Sequence, residues 1–296
     1  MADARTMREN TGGAFQMQRA GRPGLPVAPT KNKPLRSSVL RDAPESFLFP
    51  IMADRTRLLI NIDHIATLRN ARRETFPDPV AAALACETAG ADGIVFHLRE
   101  DRRHITDADV RRLKEAVRTK LDFELSMADE IVGICCATRP DLATLVPERR
   151  EEVTTEGGLD VVRQTSHVRV TVDRLHSAGI QEVALFVDPE PDQIEAAAAS
   201  GADAVELHTG DFARAVSDVD LRRECDRLGI AARTAARHGL VLHAGHGLDY
   251  LNYPTFRAAT PGLSEVSIGF AIIARAVFTG LDQAVRDMAA LVHQPS

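Results

Sequence analysis

The sequence predicts an α/β chain closed into a single (β/α)8 barrel of the TIM type, and three observations predict it. Eight short, β-rich apolar runs occur in order. Helical patterns separate them. The phrases AGADGI (89–94), AGIQEV (178–183) and SGADAV (200–205) recur at junctions from helix to strand. Near-continuous apolar strands divided by helices call for a parallel sheet covered on both faces. Eight such units in a chain of 296 residues favour closure over an open sheet.

Taken in order, LLINID (58–63) opens the barrel, and a helical period follows at 79–89. GIVFHL (93–98) leads to 107–119, and LDFELS (121–126) to 128–138. LATLVP (142–147) runs into a long polar stretch, PERREEVTTEGGL (147–159), which is read as a lid, and then into the helix 160–178. EVALFV (182–187), AVELHT (204–209) and LVLHAG (240–245) precede helices at 190–200, 217–238 and 250–259. EVSIG (265–269) is followed by 270–279 and 281–292. Gly90, Gly179 and Gly201 stand where each helix has to stop, in a left-handed position that a Cβ disfavours.

Residues 1–51 differ from the rest. They hold 8 Lys/Arg against 4 Asp/Glu and 6 of the 15 prolines, with no sustained apolar period. They are read as a disordered extension or a mis-assigned start, because Met52 begins MADRTRLLINIDH just ahead of the first strand. Residues 52–296 are expected to form the single catalytic domain. The net charge of −6 offers no whole-chain basic signal for nucleic acid. No run of about 18 apolar residues spans a membrane. The four cysteines form no CxxC motif, which fits reduced thiols in the cytoplasm.

The polar residues fall where a barrel does its chemistry, at strand ends and in the loops after them. Strand one ends in Asn61, Asp63 and His64, and strand two in His97 and Arg99, followed by His104. Strand three carries Glu124 inside an apolar run, strand four gives Glu148 and Arg149, and strand six carries Glu206 and His208. Strand seven brings His243 and His246 around Gly245 and Gly247. A lone histidine such as His97 is more often a core residue bonded to a carbonyl; six of the chain's ten histidines in one set of strand ends favour function. Glu124 on a buried strand needs a partner or a raised pKa, which suits a general acid or base. Arg99 and the DRRH run suit a phosphate clamp, as do the glycines around His246 and Gly269. His64, His97, His208 and Asp63 offer an alternative reading as metal ligands, disfavoured by the nearby Arg99. A Schiff-base aldolase would need a lysine pointing from a barrel strand, and a binding protein would have replaced the acid/base residues.

The strings NIDHIATLRNAR (61–72), HLREDRRHIT (97–106), LVPERREEVTTEGGLDV (145–161), ELHTG (206–210), AGHGLDY (244–250) and SIGFAII (267–273) together resemble the pyridoxine 5'-phosphate synthase family of vitamin B6 synthesis, over about residues 57–292. The resemblance implies condensation of 3-amino-2-oxopropyl phosphate with 1-deoxy-D-xylulose 5-phosphate, without metal or redox cofactor, in a cytoplasmic homo-octamer. By position, it makes His97 and Glu124 proton acceptors and His246 the proton donor. It assigns Asn61, Arg72, Gly247, Gly269 and Phe270 to the amino-ketone phosphate. It assigns Asp63, His64, Arg99, His104 and Thr154 to deoxyxylulose phosphate. Glu206 is expected to orient the substrate amine. Two positions depart from the family pattern: His243 replaces an asparagine, and Phe270 replaces a histidine. His243 is read as an imidazole that compensates at the phosphate site.

Overall fold

The computed structural model describes residues 55–148 and 157–294. The extension 1–51, the proposed start at Met52, Thr154 and most of the expected lid lie outside the described residues. Eight parallel strands close in sequence order: β1 (Arg57–Asn61), β2 (Gly93–His97), β3 (Lys120–Leu125), β4 (Leu142–Leu145), β5 (Glu182–Val187), β6 (Ala204–His208), β7 (Val241–Gly245) and β8 (Leu263–Ile268). The helices are α1 (Asp63–Asn70), α2 (Pro79–Ala89), α3 (Asp107–Ala116), α4 (Asp129–Thr138), α5 (Val161–Ser177), α6 (Pro191–Ala199), α7 (Gly210–Arg214), α8 (Asp218–Arg237), α9 (Tyr253–Ala259), α10 (Phe270–Thr279) and α11 (Leu281–Val292).

The helix boundaries have local causes. Asp78 caps α2 through the Val80 N–H with Pro79 at the first turn, and Thr106 and Asp109 form a reciprocal capping box on α3. Gly90, Gly179 and Gly201 all take positive φ, as the repeated junctions predict. Two helices were not expected. α1 begins at Asp63, inside the string read as a site motif. The five-residue α7 is too short to show a period. The expected helix 250–259 begins only at Tyr253, after a turn in which Asp249 accepts the N–H groups of Leu251 and Asn252.

Outward-facing strand residues such as Leu58, Ile60, Ile94, Phe96, Phe123, Val205 and Leu207 are fully buried in the apolar layer shared with the helices. The inward set is different. It includes Lys120, Asp122, Glu124, Thr144, Glu206, His243 and Glu265, linked by contacts across the barrel. This interior therefore mixes charged groups with a small apolar cluster of Leu142, Ala184 and Ala204, and its charges need partners or protons.

Candidate active site

At the C-terminal mouth, β1 and β2 are joined by one carboxylate. Asp63 opens α1, and its Oδ1 accepts the backbone N–H of His97 at 2.9 Å. Its other oxygen accepts from Asn61 Nδ2 at 3.2 Å, and its own N–H donates to Asn61 Oδ1 at 2.9 Å. Asn61 Nδ2 also reaches Glu124 Oε2 at 3.4 Å, so one amide bridges Asp63 and Glu124. His97 Nε2 is buried with no hydrogen-bond partner among the described residues, and Glu148 Oε2 stands 3.6 Å away. A buried imidazole nitrogen left open at a barrel mouth is available to a ligand. Asp63, His97 and Glu124 each bring one ligand atom within 4.8 Å of the other two, so the same trio has the spacing to hold a cation.

Burial and the neighbouring Glu206, Asp63 and Asp122 raise the pKa of Glu124 well above the usual carboxylate range. Its ionised form is correspondingly a strong base. Burial also raises Glu206, to about 7, with Glu265 adding to the effect and His243 opposing it. Gly245 is what leaves room for this acid: a Cβ there would stand 2.0 Å from Glu206 Oε1. His246 sits on a left-handed backbone with φ of 74°. Burial, with His208, His97 and His64, lowers its pKa to about 3, so its ring is neutral at neutral pH.

The cationic side of the mouth is built by the loop after β2. Arg99 is buried, with its guanidinium 3.6 Å from both Glu148 and Asp101. Burial opposes ionisation of Glu148, yet the nearby His97 and Arg99 and the Glu100 N–H bring it below its ordinary value. His104 stands 3.8 Å from Asp63 and is lowered mainly by burial. The loop is held from α1. Arg69 makes a two-pronged pair with Asp109 at 2.7 and 2.9 Å and donates to the His104 carbonyl, and Asn70 donates to the carbonyls of Arg103 and His104.

Across the mouth, Gly269 packs so closely on Asn61 that a Cβ would lie 3.0 Å from its backbone oxygen. Gly269 caps α10, whose first N–H groups lack intrahelical acceptors, as at any helix start. Phe270 is 69% exposed, and its ring meets His64 edge-on at 5.4 Å. Burial lowers the pKa of His64 despite the neighbouring Asp63. Gly247 has φ of 74° and lies against Ala213 of α7. Arg72 falls on the exposed turn after α1, with no side-chain partner among the described residues.

His243 is a correction. It does not belong to the mouth and cannot compensate for Phe270. Its Nε2 lies 3.1 Å from Glu182 and 3.7 Å from Glu265, beside Lys120, and Glu182 and Lys120 are the first residues of their strands. It is thus part of the N-terminal floor. Three polar residues, Asp122 inside the barrel and Asp188 and Ser126 just beyond strand ends, were missed in the sequence. Asp122 is buried and receives the Thr144 hydroxyl at 2.9 Å; burial and Glu206 push its pKa up. Asp188 pairs with His208, and Ser126 donates to Glu100. The alternation within LDFELS puts Asp122 on the same face as Glu124, a signal that was available.

Comparison with known proteins identifies the family. The family model for pyridoxal phosphate biosynthesis protein PdxJ matches residues 58–294. A pyridoxine 5'-phosphate synthase of Salinibacter ruber is 65% identical over 237 residues, covering 80% of this chain and 98% of the relative. One of Chlorobium chlorochromatii is 56% identical over 236 residues, with 80% and 99% covered. Two solved structures share the fold at low identity. KGPDC from Streptococcus mutans has a TM-score of 0.54 at 12% identity, covering 80% of this chain and 99% of its own. The tryptophan synthase A-subunit from Pyrococcus furiosus has 0.54 at 11%, covering 82% and 100%. Matched by the family model across its barrel and more than half identical to relatives over nearly their whole length, the chain belongs to the pyridoxal phosphate biosynthesis protein PdxJ family.

Proposed function

We infer that this chain is a ring-closing enzyme that makes pyridoxine 5'-phosphate, with phosphate and water, from 3-amino-2-oxopropyl phosphate and 1-deoxy-D-xylulose 5-phosphate. The observation that carries the assignment of roles is the convergence of His97, Glu124 and His246 on one mouth, where burial moves Glu124 up and His246 down from their ordinary pKa values. Imine formation, phosphate elimination, closure and dehydration are successive proton transfers. They need several acid/base groups of different strength in a dry pocket.

In this reading Glu124 and His97 accept protons. The raised pKa of Glu124 supports the role, because a desolvated carboxylate removes a proton from carbon more readily than a solvated one. His97 offers its open Nε2. His246 is the donor; burial keeps its ring neutral, and two phosphorylated substrates supply the negative charge that favours its protonation. Asn61, Gly247, Gly269 and Phe270, with Arg72, receive the amino-ketone phosphate, the glycines offering backbone N–H groups. Asp63, His64, Arg99, His104 and Thr154 receive deoxyxylulose phosphate. Glu206, close to its titration point, orients the substrate amine. Residues 52–296 are the catalytic unit, working as a cytoplasmic homo-octamer, which light scattering on the purified chain tests. No helix among the described residues is long and apolar enough to cross a membrane.

Mixing the chain with both substrates tests the function. Pyridoxine 5'-phosphate and inorganic phosphate should appear together; a folded chain that yields neither contradicts the reading.

A further inference from the structure

One His–Asp pair beside the acid/base groups, buried at the imidazole and partly exposed at the carboxylate, has no part in the mechanism above. His208 ends β6, 5% exposed, and its Nδ1 lies 3.0 Å from Oδ1 of Asp188, the residue after β5. An ionised carboxylate only accepts, so Nδ1 carries the hydrogen, and the neutral ring keeps its lone pair on Nε2. The same Asp188 oxygen accepts the Gly158 N–H at 3.0 Å. Gly158 is wedged onto the end of β5: a Cβ there would fall 2.1 Å from the Asp188 nitrogen, and the next residue, Leu159, donates to the Phe186 carbonyl at 2.7 Å. The carboxylate that orients His208 is therefore itself fixed by main chain.

On its other side the His208 ring meets His246 edge to face, with centroids 5.8 Å apart and planes at 78°. Phe186 touches both rings, at 5.3 Å and 4.7 Å. Thr209, next in the chain, donates its hydroxyl to the carbonyls of Gly245 and His246. His246 is one of four non-glycine residues with positive φ among those described, a conformation costly for a side chain unless its surroundings enforce it. Here Phe186, His208 and Thr209 enclose it.

We propose that Asp188 and His208 are positioning residues for His246: Asp188 locks the His208 ring, and His208, with Phe186, holds the His246 imidazole in the orientation from which it donates a proton. The inference rests on the reading of His246 as the proton donor. It also has an electrostatic side. The hydrogen bond from His208 holds Asp188 below its ordinary pKa against the effect of burial, with Gly158 and Arg227 assisting. An ionised Asp188 offsets part of the effect by which His208, like His97 and His64, makes protonation of His246 harder.

The test compares the unsubstituted full-length chain with D188N, H208N, the double variant and D188E. It uses steady-state turnover of both substrates across pH, with nitrogen NMR of the histidine rings. In D188N and H208N, kcat should fall about 10- to 100-fold, with KM within about threefold. The double variant should be no worse than H208N, because the two act as one unit. D188E should recover part of the loss. In D188N the acid limb of the kcat profile should shift, and the His208 ring should lose its fixed Nδ1–H form while the His246 signals move. Active unsubstituted chain with D188N and H208N within twofold of it at every pH overturns the pair alone, as does an unchanged His208 tautomer in D188N. An unsubstituted chain that makes no product overturns the synthase reading, and the catalytic purpose of the pair with it.

Discussion

The two ends of the barrel both carry buried titratable groups, and they do different things with them. At the N-terminal floor, Lys120 lies 2.6 Å from Glu182 and 2.7 Å from Glu265, Arg57 also pairs with Glu265, and His243 completes the cluster. Two cations meet two carboxylates, and burial of Glu182 is outweighed by hydrogen bonds and charge from His243 and Lys120, which hold its pKa down to about 2. At the mouth, Glu124 and Glu206 are raised and His246 is lowered, because burial there outweighs any opposite charge nearby. A cavity of about 630 Å³ opens at the floor, lined by Arg57, Arg118, Lys120 and Glu182 among others, yet Arg57, Lys120 and Glu182 are already held in ion pairs. A cluster of ionisable residues or a cavity does not by itself mark a site for acid/base chemistry. Groups held away from their preferred protonation state do.

The contrast can be broken most strongly at the mouth. Glu124→Gln and His97→Asn should each lower kcat by about 100- to 10,000-fold while circular dichroism and thermal midpoint stay near those of the parent. Near-normal turnover in either variant removes that residue from the mechanism. The floor should respond the other way. Lys120→Met leaves Glu182 and Glu265 short of a cation and should cost about 3–5 kcal/mol of stability in a denaturant titration, with turnover per folded molecule retained. A fully stable variant would show that the floor ion pairs contribute nothing net.

Acid costs stability at both ends, but over different pH windows. The folded state keeps His246 neutral, with a pKa of about 3 against 6.5 for a free histidine. Its neutral form suits the fold, so this contribution to stability is complete above about 6.5 and is lost as pH falls toward 3. A His246→Asn variant should therefore gain on the parent in thermal midpoint as pH is lowered through that window; parallel curves contradict the assignment. The depressed carboxyl of Glu182 gives a contribution complete above 4.5 and lost only as pH approaches about 2. The smallest effect is expected from Phe270→His. If phosphate is held by backbone N–H groups at the start of α10, KM for the amino-ketone phosphate should change by less than about threefold.

Much of this was readable in the chain before folding. The eight strands and the helices α2, α3 and α5 follow from runs of Val, Ile and Leu alternating with capped helical segments, because period and caps are local. The convergence of Asn61, Asp63, His97 and Glu124 was legible because strand ends in a parallel barrel share one rim. What was not legible depends on depth inside the barrel. His243 stands only two residues before Gly245, but the irregularity between Leu242 and His243 and the tilt of the strands set it at the floor against Glu265. Helix α1 was hidden because its first residues, Asp63 and His64, read as site chemistry. Asp188 was hidden because its value comes from His208 and Gly158, 20 and 30 residues away.

The central claim is that the mouth does chemistry and the floor holds the fold. The most direct measurement is turnover per folded molecule of Glu124→Gln beside Lys120→Met, with both phosphorylated substrates and pyridoxine 5'-phosphate as the product followed. The account predicts a loss of at least about 100-fold in the first and retention within about threefold in the second. Turnover that survives in Glu124→Gln but disappears from folded Lys120→Met would contradict it.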